Sequence, residues 1–185
     1  NALARLPLLS RAQCPHQLVA VDIRPGAVIL VGLSRRDGHT SVGLFRRFPR
    51  AAEAGEDGEA LAEELAPLVR EQGLRGCPAT TVLYRPEVNF LLAEAPEGVD
   101  RGDLREAMRW RVRELIDFPV AEAAVDAVPV PLKNLPGGGP PVLVAAAHRD
   151  TVLARVEGLR GAGLEPVSVD VPDMAQRNLS LLVPE

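Results

Sequence analysis

The chain has 185 residues, 46% of them hydrophobic and 25% charged, with a formal net charge of −4. That length suits one domain, or one domain built of two lobes, and can bury roughly two thirds of the surface of the unfolded chain without help from metals. Interspersed charge of both signs excludes the clustered basic footprint of a nucleic-acid binder. No run of about 18 apolar residues is present to span a bilayer, and the N-terminus lacks the apolar core of a secretory signal.

Residues 1–16 have no period and read as an irregular lead-in. His16-Gln-Leu-Val-Ala-Val-Asp-Ile then reads as a strand buried on both faces. Arg24-Pro25-Gly26 is a turn, Ala27 to Leu33 a second strand, Asp37-Gly38 a hairpin marker, and Thr40 to Phe48 a third strand. Two tight turns make these three strands an antiparallel meander. Gly58 to Gln72 carries Leu61, Leu65, Leu68 and Val69 at helical spacing. Gly73 closes this helix, and Pro67 inside it should kink or break it. Ala79 to Tyr84 and Val88 to Ala95 read as strands on either side of the Arg85-Pro86-Glu87 break.

A short helix follows from Leu104, with Asp103 placed to cap it and Glu106 to complete a capping box. Ala123 to Pro131 is extended. Gly137 to Gly139 reads as a flexible hairpin tip, and Val142 to Ala147 as a strand. Asp150 to Ala162 is a helix ended by Gly163. Glu165 to Val171 is a last strand, and Pro172 opens a final helix running to about Leu182. The order is βββαβ, then βαββα, then β and a helix. This is an α/β chain with a mixed sheet.

Candidate chemistry is sparse. The Gly137–Gly139 run lacks the Lys-Ser/Thr of a phosphate loop, and no serine lies in a nucleophile-elbow context. Cys14 and Cys77 are far apart, with no Cys-x-x-Cys and with His16, His39 and His148 scattered. They read as two free thiols of a reducing compartment, and no metal site is expected. Asp173 suits a helix N-terminus better than a base.

The helix from Leu104 is the most informative stretch. At about 100° per residue, Leu104, Ala107, Met108, Val112, Leu115 and Ile116 share one apolar arc. Arg111 falls inside that arc and Trp110 well off it. Two readings stand. Either the arc packs on a sheet while Arg111 snorkels and Trp110 covers another lobe, or Trp110 and Arg111 anchor a partner, as those residue types commonly do at interfaces.

Three stretches carry a resemblance. Val19-Ala-Val-Asp22-Ile23, followed by a second strand, resembles the start of an actin-like fold. Leu104 to Pro119, Leu-Arg-Glu-Ala-Met-Arg-Trp-Arg-Val-Arg-Glu-Leu-Ile-Asp-Phe-Pro, is similar to a segment of the PilM family of type IV pilus assembly proteins. So is Val142-Leu-Val-Ala-Ala-Ala with the later Gly161-Ala-Gly-Leu-Glu-Pro-Val-Ser-Val-Asp170. MshI-type proteins of mannose-sensitive haemagglutinin (MSHA) pili and, more distantly, the cytoplasmic domain of GspL are the relatives suggested.

The resemblance implies a partial actin-like (ribonuclease H-like) subdomain 1A with an inserted FtsA-type 1C lobe. Residues 17–84 would be the first part of 1A, 86–162 the βαββα lobe, and 164–183 the return to 1A. In the family the first turn reads Asp-Ile-Gly-Ser-Ser, and its acid is the position that Asp22 would take as a cofactor-linked carboxylate. Here Arg24-Pro25-Gly26-Ala27 follows Ile23. Pro25 removes a backbone donor and both serines are missing. No cofactor and no ATPase activity are therefore expected.

The expected role is a non-enzymatic scaffold on the cytoplasmic face of the bacterial inner membrane. It would bind a PilN-like N-terminal peptide or the pilus assembly ATPase in a groove between 1A and 1C. Trp110, Arg111, Val88, Phe90 and Leu92 would bear the partner. Membrane contact would come only through a partner or a segment outside this chain, which reads as a piece of a longer protein. The rival expectations are a nucleotide-binding ATPase with a degraded phosphate motif, and a module that self-assembles through the 1C lobe.

Overall fold

The computed structural model describes residues 14–96, 98–100, 102–130 and 139–180. The elements are β1 (Leu18–Arg24), β2 (Ala27–Arg36), β3 (His39–Pro49), α1 (Gly58–Glu71), β4 (Pro78–Val82), β5 (Val88–Glu94), α2 (Leu104–Arg111), β6 (Ala123–Pro129), β7 (Pro141–His148), α3 (Arg149–Gly161), β8 (Glu165–Asp170) and α4 (Pro172–Ser180). The expected order of strands and helices is reproduced. No helix among the described residues is long and apolar enough to cross a membrane. The glycine-rich tip falls largely at residues 131–138, outside the described residues.

Two compact units divide the chain. Among the described residues, one holds those up to Val82 together with Ala154–Asp170; the other holds those between Leu83 and Leu153 and those from Val171 to residue 180. The division falls inside α3. The reason is local packing: a Cβ on Gly158 of α3 would lie 2.6 Å from the Cβ of Leu61 on α1, and one on Gly161 equally close to the Cβ of Ala62.

The first unit is a five-stranded sheet in the order β3-β2-β1-β4-β8. β1–β2 and β2–β3 are antiparallel, while β1–β4 and β4–β8 are parallel. This is the mixed sheet expected of an actin-like subdomain. The turns follow from backbone chemistry. Pro25-Gly26, with Gly26 at φ +82°, joins β1 to β2, and Asp37-Gly38, at φ +51° and +81°, joins β2 to β3. A two-residue loop with positive φ at both positions matches the twist of the flanking strands.

The core of this unit joins Val19, Val21, Ile23, Val28 and Leu30 on one sheet face to Leu61, Leu65 and Val69 of α1 and Leu159 of α3. β1 alternates buried and half-buried positions, so the strand expected to be buried on both faces is covered on one. Asp57 caps α1, its Oδ1 accepting from the Ala60 N–H at 2.9 Å. α1 runs through Pro67 without ending, held by buried Leu65 and Val69 on either side.

Cys14 and Cys77 form a disulfide, with Cα atoms 5.1 Å apart and a sequence separation of 63. This overturns the reading as two free thiols. Sequence spacing says nothing about a pairing that the fold creates by bringing the lead-in against the start of β4. Next to it, the His16 ring fills the hollow left by Gly32 and Gly43; a Cβ at Gly32 would lie 2.7 Å from the imidazole. Cys14→Ser is expected to cost about 2–4 kcal/mol, because opening the cross-link frees a long loop in the unfolded chain. Urea midpoints with and without reductant check this. An unchanged midpoint for reduced wild type would contradict it.

The second unit is an antiparallel sheet in the order β5-β7-β6. Leu104, Met108 and Val112 pack with Val142 and Val144, flanked by Leu91, Ala93, Val125 and Ala127. Strand alternation puts those flanking residues on one face, so α2 covers that face.

Candidate partner-binding surface

α2 ends at Arg111 and continues as a short 3-10 turn over Val112–Glu114. The tightening from 3.6 to three residues per turn resets the phase of the side chains. Leu115, assigned by helical spacing to the packing arc, is 53% exposed, whereas Met108 and Val112 are fully buried. Arg111 is exposed instead of lying along the core. Trp110 is 63% exposed, as its position off the arc implied. Asp103 does precede the helix but makes no side-chain capping bond; its φ and ψ are helical, so its carboxylate is not aimed at the N3 amide.

The Asp-Phe-Pro stretch after α2 has an internal role that sequence reasoning missed. The rings of Phe118 and His148 are 5.2 Å apart. Arg109 Nη2 donates to the Val120 carbonyl at 3.0 Å, and Arg149 Nη2 to the Ala121 carbonyl at 2.8 Å. His148 also lies 3.1 Å from Glu122. Two guanidinium groups from α2 and α3 thus hold the segment that leads into β6. The pairs are distant in sequence, so no motif announces them.

Val88, Phe90 and Leu92 lie on β5, an edge strand opposite β7. By alternation they face away from Leu91 and Ala93, and hence away from the face that α2 covers. Val88 is buried, Phe90 half-buried, and Leu92 56% exposed. Arg85 Nη2 donates to the Phe90 carbonyl at 3.2 Å. The five residues expected to share one surface therefore do not: Trp110 and Arg111 lie on α2, Phe90 and Leu92 lie on the opposite side of the sheet, and Val88, on that same side, is buried.

Asp22 lies near the end of β1, two residues before Arg24, and its Oδ2 accepts from Arg24 Nε at 2.7 Å and Nη2 at 2.6 Å. Its Oδ1 is buried without a hydrogen-bond partner. The following turn is only Pro25-Gly26. The carboxylate expected in the family to face a cofactor is here engaged by the arginine that replaces the family's glycine. Among the described residues no group of His, Cys, Asp and Glu is placed to hold a metal ion.

No family model matches the chain and no curated protein matches it. Solved structures do. A chain of the PilM-PilN type IV pilus biogenesis complex is 30% identical with a TM-score of 0.72, over 86% of this chain and 48% of that one. The cytoplasmic domain of EpsL, an inner membrane component of the type II secretion system of Vibrio cholerae, is 15% identical with a TM-score of 0.56, over 83% of this chain and 56% of that one. A Bacteroides thetaiotaomicron protein of actin-like ATPase fold and unknown function is 7% identical with a TM-score of 0.48, over 95% of this chain and 60% of that one. The chain thus spans about half the length of the first two. It has the mixed α/β, actin-like subdomain architecture, and is similar in sequence as well as in fold to a component of a type IV pilus assembly complex.

Proposed function

We propose that this chain is the partner-recruiting part of a type IV pilus assembly scaffold, of the MSHA type, on the cytoplasmic face of the bacterial inner membrane. It binds a short N-terminal peptide of a PilN-like protein and performs no chemistry. The observation that carries this reading is the 30% identity, across 86% of the chain, to a chain of the PilM-PilN complex. The exposed Trp110 supports it, because a large aromatic at 63% exposure is an unusual expense on a short helix whose other face supplies the core. The Arg24–Asp22 pair and the two-residue turn support the non-enzymatic part. Backbone amides and hydroxyls that would cradle a phosphate are replaced by Pro25 and a guanidinium already holding the acid.

The test is co-purification of the chain with the PilN-like protein and with the assembly ATPase, alongside a titration with ATP and magnesium. Capture of the PilN-like protein with no heat of nucleotide binding is the expected result. Capture of the ATPase alone would reassign the partner, and micromolar nucleotide binding would restore the ATPase reading.

A further inference from the structure

We propose that the outer edge of β3 is a strand-docking site for an acidic, extended segment of a partner protein. This surface belongs to the first unit, whereas α2 and β5 belong to the second. β3 is the terminal strand of the five-stranded sheet. It is 11 residues long and exposed along nearly its whole length. An edge strand presents a row of backbone donors and acceptors to any strand that can lie beside it.

Three observations narrow the occupant. First, Val42 and Phe45 are 63% and 60% exposed. They pair with Leu33 and Val31 of β2, and directly paired residues share a sheet face. An apolar strip therefore runs beside the edge. Second, Arg35 and Arg36 end β2 while Arg46 and Arg47 lie on β3, with Asp37 the sole acid of the hairpin, in a chain whose net charge is −4. Among the described residues no carboxylate is ion-paired with any of these four arginines. Third, Arg46 Nη1 donates to the Phe45 carbonyl at 2.9 Å, which holds this guanidinium against the β3 backbone.

Charge on an edge strand is a device against pairing with another copy, since two such edges set like charges side by side. The register puts Arg46 and Arg36 on the face opposite Val42 and Phe45, and Arg47 and Arg35 on the same face as that strip, so the edge favours a strand whose acids at alternate positions meet Arg46 while its other side chains meet Val42 and Phe45. Backbone pairing supplies affinity and the alternating side chains supply selection.

The experiment titrates the chain with a synthetic Glu-Val-Glu-Val-Glu-Val peptide and with its Lys-Val counterpart, followed by amide exchange and chemical shifts of β3. The acidic peptide is expected to bind, to slow exchange of edge-facing β3 amides, and to weaken as salt rises. The Arg46→Glu/Arg47→Glu variant should lose about tenfold or more in affinity with its fold intact by circular dichroism, because both side chains are exposed. Trp110→Ala should leave this binding unchanged, which separates its failure from that of the pilus-partner reading. Equal binding of the basic peptide, an unaffected double variant, or β3 edge amides already protected in the free chain would each overturn the proposal. So would a mass that doubles with concentration through β3, which would make a second copy the occupant.

Discussion

Met108→Ala is expected to destabilise the second unit by about 2–5 kcal/mol. Met108 has no exposed surface and joins Leu104 and Val112 to Val142 and Val144 of β7. This core is small, so an emptied site at its centre has few neighbours able to close over it. Leu115→Ala, four residues beyond α2, should change stability by less than about 0.5 kcal/mol, because Leu115 is 53% exposed. Amide exchange of β5, β6 and β7 gives the local measure, and urea midpoints the global one. If the two substitutions cost the same, the phase change after Arg111 is wrong and the helix continues as its periodicity suggested.

Gly158→Val is expected to destabilise the first unit by about 1–3 kcal/mol, against the sign that helix propensity gives. Replacing a helical glycine by a residue with a side chain normally gains up to about 1 kcal/mol of backbone entropy. Here the new Cβ would sit 2.6 Å from the Cβ of Leu61. That atom is fixed to the backbone of α1 and cannot rotate away, so the helices must separate or distort. A raised urea midpoint for Gly158→Val would show that α1 and α3 are not in close contact.

The order of elements was legible because hydrophobic period and turn chemistry agree along most of the chain. Gly26, Gly38, Gly73 and Gly163 all adopt positive φ, and each had been placed at a turn or helix end. The exposure of Trp110 and the burial of Met108 followed from simple angular spacing. What could not be read depends on contacts between distant positions. The Cys14–Cys77 bond spans 63 positions. The Phe118–His148 contact and the two arginines that hold residues 120 and 121 join α2, the segment before β6 and the start of α3. The exposed apolar strip of β3 arises because its partner strand, not its own pattern, decides which residues meet the core.

The proposed function is recognition of another protein by a surface that does no chemistry. Calorimetric titration of the chain with the N-terminal peptide of a PilN-like protein, wild type beside Trp110→Ala, tests it most directly. The predicted result is a saturable heat for wild type and a loss of about 30-fold in affinity for Trp110→Ala, the scale of a hot-spot residue worth about 2 kcal/mol. Identical affinity for the two chains, or no heat with either, would contradict it.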